Sequence, residues 1–319
     1  MVALAYVWAT VMADTVVSTP PFPENGPGLR PKFDGVELLL LDHATPPEVL
    51  LENIDKLGTE IGAGVQQTSC SAAEESAIPW PETTPDIDAL LSVESITTWD
   101  FELIKLNELT RGRPLALLAY ALIESYDLMN RLKLDRDKLK RYLLALEAKY
   151  NTCLYHNPMH AADVMHAFCY LLRDLAAGMP AEELLIAILA GPAHDLGHPG
   201  VNNALLIKRK HALSEKFPTS VLENHHAALA VELIQQPDKD VLSFLNDATD
   251  GAQKKEKLRQ LLSDLVLYTD MSLHGKIVER LNELQERKET LDITVEENRL
   301  IILQALLHAA DLSNPCKKW

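Results

Sequence analysis

Cysteines at paired spacing are missing from this chain. Its four cysteines, Cys70, Cys153, Cys169 and Cys316, are scattered, which excludes a disulfide framework and a thiolate zinc site and points to a reducing, cytoplasmic setting. Long hydrophobic runs are missing too. The apolar opening MVALAYVWATVM lacks a basic leader and is too short to span a bilayer, so it reads as a ragged start rather than a signal peptide or membrane anchor. Positive charge is scarce: 30 Lys and Arg against 46 Asp and Glu leave a net charge of −16. A nucleic acid or an anionic membrane surface is therefore excluded as a partner, because each is bound through basic surface. An anionic small substrate on so acidic a protein needs local cations, and bound metal ions are one way to supply them.

What is present falls into two unequal parts. Residues 1–90 read as an N-terminal arm and linker, partly disordered, with a Pro- and Gly-rich stretch at 14–35, an apolar run at 36–41, one expected helix in PPEVLLENIDKLGTEIG and a Ser/Thr/Glu/Pro linker at 63–86. Residues 91–319 carry apolar positions at spacings of three and four, the period of amphipathic helices, and no alternating strand pattern. The fold class predicted is all-α, with helices near 100–109, 114–131, 135–150, 158–177, 180–193, 219–235, 240–247, 254–287 with a break, and 294–310. The helix at 180–193 is nearly uncharged after Glu183, which predicts burial on all sides and delivers the next residues, His194-Asp195, into the middle of the domain.

Polar clusters interrupt this apolar background. YHNPMHAADVMH at 155–166, HDLGHPGVNN at 194–203, ENHH at 223–226 and HAADLSNP at 308–315 together hold eight of the eleven histidines. A histidine on an apolar helix face is ordinarily a core residue with a satisfied hydrogen bond, and residues 155–166 alone do not separate that reading from metal binding. Across clusters, His160, His194, Asp195 and Asp311 offer two nitrogen and two oxygen donors, a set suited to zinc with positions left for water. Buried charge of this density persists only when paired or metal-bound.

The order H…HD…D resembles the HD superfamily of metal-dependent phosphohydrolases. The longer motifs YHNPMHAADV, HDLGHPGVNN, SVLENHHAAL, TDMS and HAADLSNP resemble more narrowly the catalytic domain of class I 3′,5′-cyclic-nucleotide phosphodiesterases, over roughly residues 98–319. The resemblance implies hydrolysis to the 5′-monophosphate by a two-metal-activated hydroxide. It implies zinc on His160, His194, Asp195 and Asp311, with Asp195 bridging to Mg2+ or Mn2+, whose waters His198, Glu223 and Thr269 orient. His156 matches the family's general acid, while Tyr155 and Asn314 match substrate-binding positions, Asn314 leaning toward cAMP. Asp163 and His308, three residues from proposed ligands, are expected to orient them. His225 and His226 are read as structural, as are His43, His166, His211 and His274.

The pattern also departs from the family. The chain closes at HAADLSNPCKKW, before the further helices that in the family carry a purine-binding glutamine and its apolar clamp, so the expectation is a catalytic domain lacking its last helices. Residues 216–219 (Lys-Phe-Pro-Thr) and Leu205 differ from the usual residues around SVLE and HPG. Such a domain would leave apolar helix faces exposed, notably on 294–310, and a homo-oligomer through those faces is expected. Two rival readings stand beside the enzyme: a non-catalytic fragment that binds metal or a partner, and an HD hydrolase of another phosphate ester.

Overall fold

The computed structural model describes residues 78–286 and 292–317. The expected run at 36–41, the helix at 46–62 and most of the arm fall outside those residues. The described chain contains no strand, in agreement with the all-α expectation. Its helices are α1 (Pro85–Leu90), α2 (Val93–Ile96), α3 (Leu103–Leu109), α4 (Pro114–Ser125), α5 (Leu128–Arg131), α6 (Arg136–Ala148), α7 (Pro158–Leu172), α8 (Ala181–Ala193), α9 (Asn203–Lys208), α10 (Ala212–Lys216), α11 (Val221–Gln235), α12 (Gly251–Leu267), α13 (His274–Glu286) and α14 (Glu296–Asp311).

Helix α8 is the axis on which the others are laid. Every residue from Leu184 to Ala193 is buried, and α4, α7 and α12 pack around it. An uncharged helix gains by this arrangement, because each apolar side chain taken from water contributes roughly 1.5–3 kcal/mol. Helix α7 crosses α8 where Gly191 meets Met165: a Cβ built on Gly191 would lie 2.7 Å from Met165 Cβ. The absent side chain sets how closely the two backbones approach.

Start and stop signals fix the ends. Asn157 caps α7, its side-chain oxygen accepting from Met159 N at 3.0 Å and His160 N at 3.2 Å, with Pro158 at the first helical position. Helix α14 is tied to α8 by Arg299, whose guanidinium donates to both oxygens of Glu183 at 2.6 and 3.1 Å and to the carbonyls of Ile293 and Thr294. A fork of this kind stays buried because every donor finds an acceptor.

Several expectations are corrected. The helix expected over 114–131 divides at Asp127, whose backbone is left-handed (φ 56°), a conformation the apolar spacing does not report. The helix expected at 240–247 is a single 3-10 turn, Ser243–Leu245. The span 254–287 does break, at residues 268–273, where Asp270 caps the next turn by accepting from Ser272 N at 2.8 Å. The short helices α1, α2, α9 and α10 were not anticipated, being too brief to show a period. Among the described residues before position 91, Ile87 and Leu90 are buried in the core and Ile78 packs against it. The apolar run of 294–310 is not an exposed face: Val295 is exposed, but Ile301 to Ala310 are buried within this one chain, because α7, α8, α12 and α13 already cover them.

Gly191→Ala is predicted to cost about 1–3 kcal/mol by forcing α7 and α8 apart. Urea unfolding measures this, and an unchanged midpoint would show that the crossing has slack.

Candidate metal centre

The C-terminal end of α8 aims the first donor. His194 follows the last residue of the helix, and its Nδ1 donates to Gly191 O at 2.7 Å. That bond fixes the tautomer and leaves the Nε2 lone pair facing inward. From α7, the capped first turn brings His160 Nε2 to 3.3 Å from His194 Nε2. The carboxylates complete the set. Asp195 Oδ2 lies 3.4 Å from His160 Nε2 and 3.3 Å from His194 Nε2, and Asp311 Oδ1, at the end of α14, lies 3.3 and 3.4 Å from the same nitrogens.

These separations test whether an ion fits. Four donors each about 2.0–2.1 Å from a common centre, at tetrahedral angles, stand about 3.3–3.4 Å apart. The His160–His194 separation and the four separations between these imidazoles and the two carboxylates match, and the donor types are those of a borderline cation such as zinc. His160, His194 and Asp311 form one of two groups among the described residues whose ligand atoms all lie within 4.8 Å; His156, Asp195 and His198 form the other. Asp195 faces both, its Oδ2 also 4.0 Å from His156 Nε2.

Electrostatics point the same way. Burial resists charge on His194, yet the carboxylates of Asp195 and Asp311 raise its pKa well above the ordinary value. Burial likewise resists charge on Asp195 and Asp311, and His194 with His160 holds both below the usual carboxylate range. The pocket thus favours positive charge between its carboxylates, which a divalent ion would provide without protonating the imidazoles.

The remaining expected residues are placed unevenly. His156 stacks on His198 with ring centroids 3.7 Å apart, and burial lowers its pKa. His198 Nδ1 accepts from Gly200 N at 2.9 Å, and burial brings its pKa to about 4. Glu223 is held by Asn203 Nδ2 at 3.0 and 3.3 Å, and burial raises its pKa. Thr269 is buried, its hydroxyl donating to Val266 O at 2.8 Å. Asn314 Nδ2 donates to Tyr155 Oη at 2.9 Å, and both border a pocket of about 760 Å³ that also reaches His160 and is lined by Trp99, Phe101 and Met159.

Three side chains depart from expectation. Asp163 pairs with Lys317, and His308 bonds Tyr268 O and His274 Nδ1, so neither orients its neighbouring ligand through a direct hydrogen bond. His226, read as structural, reaches the centre: Nδ1 donates to Leu196 O at 2.6 Å and Nε2 stands 3.8 Å from Asp195 Oδ1. The available signal was its place three residues after Glu223 on one helix face.

A helical domain that gathers two imidazoles and two carboxylates at one point is, by donor chemistry, of the metal-binding class. The match to known proteins is more specific. Residues 155–319 match the 3′5′-cyclic nucleotide phosphodiesterase family. The chain is 34% identical over 265 residues to 3′,5′-cyclic-AMP phosphodiesterase 4C of Rattus norvegicus, covering 80% of this chain and 48% of the relative. For the Mus musculus protein of the same name the identity is 35% over 264 residues, covering 79% and 38%. The crystal structure of the phosphodiesterase domain of the RhoPDE fusion protein from the choanoflagellate Salpingoeca rosetta superposes with a TM-score of 0.64 at 29% identity, covering 73% of this chain and 71% of that one. The chain belongs to the cyclic-nucleotide phosphodiesterase family, whose members are metal-dependent. It spans half or less of the length of these two curated relatives. Among the described residues no helix is long and apolar enough to cross a membrane.

The buried neutral histidines set a pH dependence in the metal-free protein. Burial lowers His198 and His226 to about 4 and about 3, so the stability they contribute is complete above about 6.5, their unfolded value, and is lost as pH falls toward the folded values. His226→Gln is therefore predicted to flatten the decline in urea midpoint between pH 6.5 and 4, by at most about 1.4 kcal/mol per pH unit. Equal slopes in both proteins would count against it.

Proposed function

We propose that residues 91–319 act as a metal-dependent 3′,5′-cyclic-nucleotide phosphodiesterase domain, with cAMP the favoured substrate, in the cytoplasm, and with residues 1–90 as an accessory arm. The reading is carried by one observation: two imidazoles 3.3 Å apart, each 3.3–3.4 Å from an oxygen of Asp195 and of Asp311, with a further imidazole, His156, 4.0 Å from Asp195. The names of the curated relatives, both cyclic-AMP phosphodiesterases, support the choice of nucleotide, as does an amide, Asn314, at the pocket.

His160, His194, Asp195 and Asp311 would hold zinc, and Asp195 would share its carboxylate with Mg2+ or Mn2+. When bound, such a pair supplies the positive charge that lowers the pKa of water and neutralises the phosphate. The chain's residues do the rest. Asp195 suits a bridging role because Oδ2 faces His160 and His194 while Oδ1 faces His226. His198, Glu223 and Thr269 would orient water at the second position. As a water oxygen that has given up a proton bonds to phosphorus and the bond to the 3′ oxygen breaks, His156 as imidazolium, the form the Asp195 carboxylate 4.0 Å away favours, gives the departing oxygen a proton and is recharged by the one the water released. Its stacking on His198 holds the ring in place for that transfer. Tyr155 and Asn314 hold the nucleoside in the adjoining pocket.

Protein reconstituted with zinc and magnesium should convert cAMP to 5′-AMP and lose this activity in EDTA. His156→Ala should lower kcat by about 10²–10⁴-fold, the usual worth of a positioned general acid, with metal content unchanged. Absence of turnover with either cAMP or cGMP after reconstitution would overturn the reading and favour a metal- or partner-binding fragment.

A further inference from the structure

Asp311 is the last residue of α14. Helix ends fray because their final carbonyls lack intrahelical partners, yet Asp311 Oδ1 must stay 3.3 Å from His160 Nε2 on a different helix. Something beyond the helix has to hold that end.

The segment after α14 makes the attachments. A 3-10 turn, Asn314–Cys316, follows, and Lys317 then returns to α7. Lys317 Nζ donates to Asp163 Oδ1 at 2.5 Å and to Asp163 O at 3.1 Å. Its ammonium also lies 5.2 Å from the centroid of the Trp99 ring, and Trp99 Nε1 donates to Cys316 O at 3.4 Å. The pair is well enclosed, with 12% of the lysine side chain and 20% of the aspartate side chain exposed.

Resting on the metal-holding residues of the preceding subsection, we propose that Lys317 is a positioning residue: paired with Asp163, it clamps the chain beyond Asp311 to the helix carrying His160 and thereby fixes the spacing of those two donors. The pair closes a short circuit of chain. Asp163 lies one turn after His160 on α7, and Lys317 lies six residues after Asp311, so a displacement of α14's end is resisted at a point rigidly joined to His160. The clamp also occupies a carboxylate. Left unpaired, Asp163 would be an uncompensated partly buried anion close to the centre, free to draw a cation from it. Burial lowers the Lys317 pKa and Asp163 opposes the shift, consistent with an ammonium retained by its partner.

A clamp for donor spacing and a mere staple of the fold differ in what they move. Zinc affinity of the whole 319-residue protein, measured by competition with a chromophoric chelator, separates them when read beside the thermal midpoint. Lys317→Met keeps an unbranched side chain and removes the charge; it should weaken zinc binding by about tenfold or more, the scale on which supporting partners of ligands act. Asp163→Asn should do the same, the double variant should add little to either, and Lys317→Arg should recover most of the affinity. Circular dichroism establishes that each variant is folded, and Asp163→Asn carries the test if Lys317→Met is not. Wild-type zinc affinity in both single variants, even with a lowered midpoint, would overturn the proposal while leaving the metal centre standing. A wild-type protein that binds no zinc would instead remove the metal reading on which it rests.

Discussion

Two carboxylates cannot sit close together in a dry pocket unless positive charge lies among them, and this constraint organises the protein. Asp195 and Asp311 are both largely enclosed, and the groups facing them are imidazoles whose outward nitrogens are already committed or packed. The apolar mass exists in part to keep water from screening this charge. In a wet cleft the same four side chains would attract a cation only weakly, because effective Coulomb energies fall several-fold as the dielectric rises.

The scaffold meets that requirement with few parts. Helix α8 is apolar on all sides from Leu184 to Ala193 and so is driven to the centre of the domain, and its final turn points His194 at the pocket. Gly191 serves twice there, its missing side chain admitting α7 and its carbonyl orienting the His194 ring. The loops on either side are stitched together: Asn151 donates to the carbonyls of Gly197 and His198, and Tyr150 to that of Pro192. Ligand-bearing turns are thereby held by backbone carbonyls that would otherwise lack partners.

Much of this was legible in the sequence where the signal is local. Asn157-Pro158 marks the start of α7, and the uncharged run to Ala193 marks a buried helix, so the places of His160 and His194 could be read directly. Phase and distance were harder. The doublet His225-His226 does not say which ring turns inward until the helix is set against Leu196. Asp163 shares a face with His160, but its partner arrives from the far end of the chain. The left-handed turn at Asp127 interrupts an apolar period that continues unbroken in the letters. Burial of 301–310 is likewise a matter of distance, since the neighbours that cover it are drawn from four separate helices.

The spread of the donors along the chain bears on how the protein folds. His160 and His194 belong to helices that pack directly on one another, but Asp311 arrives only after α11, α12 and α13 have been laid down. Closing so long a loop carries an entropic cost that must be met before the contact rewards it. The centre is therefore complete only once contacts between distant parts of the chain have formed. An ion that prefers all four donors would favour the finished topology over any form that lacks one of them.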